Sequence, residues 1–165
     1  MADLIIDRAQ SSDVPAITLI HNEAITYTVA SWFDEPRSEA EVARWIDDRV
    51  RAGHPFLVAR LDGQTVGFTS YGQFRPYPGY RHTAELSIFV DAAYRRQGVG
   101  RRLIEALVEH ARQAGMHSIV AGIEASNEPS LELHRRLGFV EVGRLPEVGR
   151  KFQRWLTLVF MQKML

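Results

Sequence analysis

The stretch Glu85-Leu-Ser-Ile-Phe-Val-Asp-Ala-Ala-Tyr-Arg-Arg-Gln-Gly-Val-Gly-Arg-Arg-Leu-Ile carries a strand pattern through a glycine turn directly into a helix. No other stretch constrains the fold as much, because a strand, a tight turn and an amphipathic helix in direct succession also make an anion site. Gly98 and Gly100 lack Cβ atoms, so a phosphate can approach the main chain closely. The unpaired N–H groups of the helix start point at it with the positive end of the dipole. Arg95, Arg96, Arg101 and Arg102 flank the glycines with charge-assisted donors suited to a pyrophosphate. A phosphorylated ligand is expected; a glycine turn before a solvated basic helix start is the plain structural alternative.

Two common nucleotide patterns fail here. A P-loop needs Gly-x-x-x-x-Gly-Lys-Ser/Thr, and no Lys-Ser or Lys-Thr pair follows these glycines. A dinucleotide fingerprint needs a third glycine where Leu103 stands. What remains, Arg95-Arg96-Gln97-Gly98-Val99-Gly100 between a strand and a long amphipathic helix, resembles the Arg/Gln-x-x-Gly-x-Gly/Ala signature of the GNAT N-acetyltransferase superfamily. The resemblance implies acetyl-CoA as donor, bound by Arg95, Arg96, Gln97, Gly98, Val99, Gly100 and Arg101.

A chain of 165 residues is long enough for one buried core and too short for two ordinary domains, so a single domain over 1–165 is expected. Lys plus Arg (20) cancels Asp plus Glu (20), which leaves no footprint for nucleic acid or an anionic membrane. Cysteine is absent, which excludes a disulfide framework, a thiolate metal site and a cysteine nucleophile; no metal is expected. The start, Met-Ala-Asp-Leu-Ile-Ile-Asp-Arg, has no basic segment followed by a long apolar one, and no apolar run approaches membrane-spanning length. These bounds fit a cytoplasmic enzyme.

Leu4-Ile-Ile-Asp-Arg reads as a first strand, and Ser11-Ser-Asp-Val-Pro opens a helix whose apolar set Ile17, Ile20 and Ala24 runs to about Tyr27. Thr28 to Arg37 lacks periodicity and reads as a loop. Ser38 and Glu41 form a capping box for a second helix with Val42, Trp45, Ile46 and Val50 on its apolar face. Two strands follow, Phe56 to Leu61 and Gln64 to Tyr71, joined at the hairpin signal Asp62-Gly63. After the Pro/Gly-rich loop at Arg75 come a strand at Thr83–Val90, a helix from about Gly100 to Ala114 and a strand at Ser118. A short helix from Ser130 to Leu137 and two last strands, Phe139–Val142 and Trp155–Met164, end the chain. The order β-α-α-β-β-β-α-β-α-β-β describes an α/β fold around one mixed, largely antiparallel sheet flanked by helices, and it matches GNAT topology. By that resemblance the sheet is splayed: the cofactor enters where Glu85–Val90 and Ser118–Glu124 part.

Acyl transfer to an amine needs a neutral nucleophile, stabilisation of an oxyanion and a proton for the leaving thiolate. Alternation sets Glu85, Ser87 and Phe89 on one face of their strand, so Glu85 is either a general base at the strand entrance or a solvated strand-end glutamate. His134 lies beside the apolar pair Leu133 and Leu137, at a partly buried edge, as a structural histidine or a base near neutrality. In many GNAT enzymes this helix carries an acid seven residues after an asparagine, and His134 stands at that spacing from Asn127. A histidine there resembles the subgroup that acetylates phosphinothricin and methionine sulfoximine. Phe74-Arg-Pro, Tyr80-Arg-His-Thr-Ala-Glu, Ser126-Asn-Glu-Pro-Ser-x-x-Leu-His and Gly149-Arg-Lys-Phe-x-x-Trp are similar to that subgroup as well.

The subgroup resemblance implies Glu85 and His134 as catalytic bases, Asn127 and Ser130 at the cofactor turn, and main-chain N–H groups of Ile88 or Val90 on the thioester carbonyl. It also implies a homodimer. Trp155-Leu156-Thr157 departs from the histidine-aspartate pair that phosphinothricin-specialised members often carry, which weakens phosphinothricin as the preferred acceptor. Arg75, Arg81 and Lys151, with Trp32, Phe33, Tyr77 and Tyr80 nearby, are the expected acceptor contacts, cations for a carboxylate and aromatics for burial; solvated loop arginines are the plain alternative. Another amine, such as a protein amino terminus or an antibiotic, and a non-catalytic acyl-CoA-binding domain remain as alternatives.

Overall fold

The structure is a computed structural model that describes residues 3–165; Met1 and Ala2, the start of the domain expected over 1–165, lie outside the described residues. Among the described residues eleven strands and α-helices follow one another as β1 (Leu4–Arg8), α1 (Val14–Tyr27), α2 (Glu39–Arg51), β2 (Phe56–Leu61), β3 (Gln64–Gln73), β4 (Thr83–Val90), α3 (Val99–Gln113), β5 (Ser118–Glu124), α4 (Glu128–Arg136), β6 (Val140–Lys151) and β7 (Arg154–Met164). The seven strands form one sheet in the order β1-β2-β3-β4-β5-β7-β6. Among the described residues only β4 and β5 run parallel; every other neighbouring pair is antiparallel. The expected mixed α/β architecture is the observed one.

Helices cover both faces of this sheet. On one face α1 and α2 pack Ile17, Ile20, Val42 and Ile46 onto Phe56, Val58 and Phe68. On the other, Ile104, Leu107, Val108 and Ala111 of α3 and Leu131 of α4 pack onto Leu57, Leu86, Ile119 and Ala121. Burying side chains of this size is worth about 1.5–3 kcal/mol each, which is why amphipathic helices of ordinary propensity stay docked. The Ser38–Glu41 capping box starts α2 as expected, with Ser38 N–H donating to Glu41 Oε2 at 2.7 Å. Asp62 (φ 49°) and Gly63 (φ 80°) both occupy the left-handed region that the β2–β3 hairpin demands. No helix among the described residues is long and apolar enough to cross a membrane.

Four details depart from the sequence reading. Val50 is 59% exposed, because the buried stripe of α2 ends at Ile46. Strand β3 continues past Tyr71 to Gln73. Helix α4 begins at Glu128, with Asn127 as its cap and Pro129 in its first turn. Strand β6 extends from Val140 to Lys151, past the residues where Gly143 and Pro146 suggest a break; irregular register between Glu141 and Gly143 and between Leu145 and Gly149 absorbs them.

Candidate active site

The site begins with a parting of strands. Asp91 N–H donates to the Val66 carbonyl at 2.9 Å, and the Thr83 carbonyl accepts from Phe74 N–H at 3.0 Å, so odd-numbered main-chain groups of β4 face β3. Even-numbered groups therefore face β5. That ladder runs only from Thr83–Ser118 to Leu86–Ala121. The main-chain groups of Ile88 and Val90 consequently open into the gap between the two strands, where a ligand can meet unpaired N–H donors. Arg95 folds over the end of this gap, its Nε donating to the Val90 carbonyl at 3.1 Å.

The glycine turn closes the same end. Arg96 (φ 61°) and Gly98 (φ 83°) take left-handed conformations, and Gly98 caps α3. The first helical bond is Arg102 N–H to the Gly98 carbonyl at 3.1 Å, which leaves the N–H groups of Val99, Gly100 and Arg101 without helical acceptors. The two glycines serve different ends. A Cβ at Gly98 would meet nothing within 4 Å, whereas one at Gly100 would stand 3.1 Å from Leu133 and 3.8 Å from Ile88 and Val90. Gly98 is thus required for its dihedral angle, and Gly100 lets α4 and β4 close on the helix start. Val99 buries its side chain and offers only main chain. Gln97 braces the turn by donating to the Ala93 carbonyl at 3.0 Å, and Arg101 pairs with Glu105 at 2.7 Å. A free strand edge leading to a basic turn with open N–H groups fits an acyl-CoA: an extended amide-bearing arm along β4 and a pyrophosphate at α3.

Helix α4 brings up the histidine. Asn127 Oδ1 accepts from Ser130 N–H at 3.3 Å, so its amide Nδ2 is the group left to donate elsewhere. His134 Nδ1 lies 2.8 Å from the Ser130 carbonyl, an acceptor only, so Nδ1 carries the proton and Nε2 the lone pair. That Nε2 is buried without a partner. Burial holds the His134 pKa below the ordinary histidine value against the Ser130 bond, so the ring is neutral at pH 7. The expected partly buried edge is corrected: His134 is 1% exposed and Leu131 1%, while Leu133 and Leu137 are only partly covered. Packing with Leu131 at i,i+3 makes the histidine part of the inward stripe.

Glu85 stands on the α1/α2 face of β4. Its Oε2 is 3.8 Å from Arg75 Nη1, and a Cβ at Gly122 would lie 3.6 Å from its Oε1. Burial raises its pKa, and the charges of Arg75 and Arg49 draw it partly back. Among the described residues no hydrogen bond or ion pair joins Glu85 to His134.

Two residues along β4 from Glu85 and on the same face, at Ser87, a cleft of about 550 Å³ opens between α1, α2 and β4. Its lining includes the expected Trp32 and Phe33, together with His21, Arg37, Trp45, Arg49, Ser87 and Phe89, which sequence reasoning missed. His21 is 2% exposed, with Nδ1 unpartnered and its ring 4.8 Å from Phe89 and 5.3 Å from Trp45. Burial first, then Arg37 and Lys151, lower its pKa to about 4. A signal for two of these was present: His21 follows Ile17 at i,i+4, and Arg49 follows Trp45 and Ile46 at i,i+4 and i,i+3, polar residues on apolar stripes.

The remaining expected acceptor contacts divide. Arg75 lies 4.2 Å over the Phe74 ring and reaches Glu85. Tyr80 and Arg81 sit at an exposed 3-10 turn, with Arg81 Nη1 donating to the Pro78 carbonyl at 3.0 Å. Lys151 is corrected. It is 5% exposed, and its ammonium donates to the carbonyls of Ile25 (2.5 Å), Thr28 (2.9 Å) and Ser31 (2.5 Å), which consumes all its donors. It terminates α1 and holds the loop that bears Trp32; Gly149 helps, since a Cβ there would overlap the Trp32 ring.

Residues 17–139 match the Acetyltransferase (GNAT) family. The chain is 46% identical over 152 residues to the L-methionine sulfoximine/L-methionine sulfone acetyltransferase of Pseudomonas aeruginosa, covering 92% of this chain and 88% of the relative. It is similar in structure to a ribosomal-protein-alanine N-acetyltransferase from Brucella melitensis, with a TM-score of 0.96, 46% identity and coverage of 98% and 99% of the two chains. A GNAT superfamily phosphinothricin acetyltransferase from Sinorhizobium meliloti, solved in complex with AcCoA, aligns with a TM-score of 0.95 at 32% identity, covering 98% of this chain and 88% of that one.

Proposed function

The chain belongs to the Acetyltransferase (GNAT) family and is an acetyl-CoA-dependent N-acetyltransferase, and on that footing we propose that its acceptor is the amino group of a small amino-acid-like molecule. Methionine sulfoximine, methionine sulfone and phosphinothricin define the type. The observation that carries this reading is the cleft at Ser87, walled by aromatics and carrying the guanidinium groups of Arg37 and Arg49. An aromatic wall suits a compact side chain, and guanidinium groups suit a carboxylate.

Transfer is direct, within a ternary complex. The bound donor supplies the thioester acetyl group. Ile88 and Val90 offer N–H groups to its carbonyl, and the glycine turn from Arg95 to Arg101 with Asn127 and Ser130 holds the rest of the molecule. As the C–N bond forms, Glu85 takes a proton from the attacking amine, directly or through a water; His134 Nε2 is the second proton acceptor and returns its proton to the CoA thiolate that leaves when the C–S bond breaks. Trp32, Phe33, Arg75, Tyr80 and Arg81 belong to the acceptor side.

A second reading is favoured by the likeness to the Brucella enzyme, whose name gives a ribosomal-protein alanine as acceptor. A protein amino terminus wants an open groove with acidic lining, and guanidinium groups argue for the free amino acid. A thiol-release assay over amino acids, their sulfone, sulfoximine and phosphinate analogues, and an alanine-initiated peptide decides between them. Turnover of the peptide alone would reverse the order of the readings.

We further propose one catalytic unit over 1–165, acting in the cytoplasm as a homodimer. Val140, Val142, Leu145 and Val148 on the edge strand β6 and Trp155 on β7 are exposed, and a second copy would cover them. Light scattering that reports a monomer at working concentration overturns the dimer.

A further inference from the structure

The cations around the cleft are not equally free. Arg75 Nη1 donates to the Phe74 carbonyl at 2.9 Å and faces Glu85, Arg37 Nη2 donates to the Glu41 carbonyl at 3.2 Å, and Lys151 is fully engaged. Arg49 is the exception: among the described residues its side chain makes no hydrogen bond or ion pair, and its Nε is buried without an acceptor. A half-buried guanidinium with its fork of donors unmet carries a desolvation cost that a planar two-oxygen anion is shaped to offset.

Its position is built into the sheet. A Cβ at Gly72 would overlap Arg49 Nη1, so the guanidinium rests on bare β3 backbone. Gly72 is the register partner of Glu85 on β4. Arg49 also lines both the cleft at Ser87 and a neighbouring one of about 510 Å³ that reaches Phe74 and Arg75. The unmet cation of α2 thus lies over the β3 residue that pairs with the carboxylate-bearing residue of β4. An α-amino acid carries its carboxylate and amine on one carbon.

We propose that Arg49 receives the carboxylate of the acceptor and thereby sets the acceptor's amine beside Glu85. This rests on the amino-acid reading of the acceptor and adds the residue that selects for it. Arg75 and Arg49 then divide their work: Arg75 holds the Glu85 carboxylate and Arg49 the substrate's.

The test compares L-methionine sulfone with its carboxamide in the wild type, Arg49→Met, Arg49→Lys and Gly72→Ala, each at the pH plateau of its own rate profile. Arg49→Met should lower kcat/KM for the acid by about 30-fold or more, the size of a bidentate charge-assisted contact, and lower it far less for the carboxamide. Arg49→Lys should retain part of the preference. Gly72→Ala keeps the charge but displaces the guanidinium, the far end of a flexible side chain, and should follow Arg49→Met even if that variant folds poorly. An unchanged acid-to-amide preference in both Arg49→Met and Gly72→Ala, or an equal fall for both substrates, overturns the assignment while the acceptor reading stands. A wild type that turns over neither compound, nor methionine sulfoximine or phosphinothricin in their place, overturns the acceptor reading and this assignment with it.

Discussion

His134 Nδ1 lies 2.8 Å from the carbonyl of Ser130, one turn back along α4, and this bond fixes which ring nitrogen can accept a proton. Nε2 is left as a buried lone pair on a neutral ring. His134→Ala should lower kcat by about 100-fold, the ordinary contribution of a positioned acid–base group, with little change in the KM for acetyl-CoA. Steady-state kinetics checks this; a fall below about 3-fold would assign the histidine to packing alone.

Glu85 should set the acid limb of the pH–rate profile. A base must be ionised, and burial lifts this carboxyl above its ordinary range, so kcat/KM should rise with pH through an apparent pKa above that of a free glutamate. Glu85→Gln should remove the limb and about 100-fold of rate. Removing the Arg75 charge, in Arg75→Gln, disfavours the ionised form and should move the limb to higher pH.

Lys151 is a structural cation. Lys151→Met leaves the Ile25, Thr28 and Ser31 carbonyls without their donor, which should cost about 3 kcal/mol in chemical denaturation. The acceptor KM should rise as the Trp32 loop loosens, and the acetyl-CoA KM should not. An unchanged denaturation midpoint would refute this role.

His21 couples stability to pH. Its pKa near 4 in the fold lies below the ordinary histidine value of about 6.5, so the unfolded chain binds the proton first as pH falls. Its contribution is whole above pH 6.5 or so and is lost between there and about 4, a change on the order of 3 kcal/mol. In His21→Leu the slope of stability against pH across that window should flatten. A slope equal to the wild type's would show that His21 does not carry it.

Local rules made much of the fold legible. The Ser38–Glu41 box, the Asp62-Gly63 hairpin and the α3 stripe from Leu103 to Ala111 each state a structure in a few residues, and each appears where expected. Gly100 was legible as a glycine position but not for its reason, since contact with Leu133 depends on how α4 docks. The same holds at the site. Glu85 and the turn at Gly98 lie on one continuous stretch of chain, whereas His21, Trp45 and Arg49 join them only because α1 and α2 fold across the sheet. Lys151 misled because a lysine near an expected substrate segment looks like a ligand contact, and its actual partners lie more than a hundred residues earlier in the chain.

Transfer from acetyl-CoA to L-methionine sulfone by the purified wild-type protein, followed by mass spectrometry of the product, bears on donor, acceptor and chemistry at once. One free thiol should be released per acetyl group, with that group on the α-nitrogen. Absence of turnover with every sulfone, sulfoximine and phosphinate acceptor, in a preparation that binds acetyl-CoA, would contradict the proposed function.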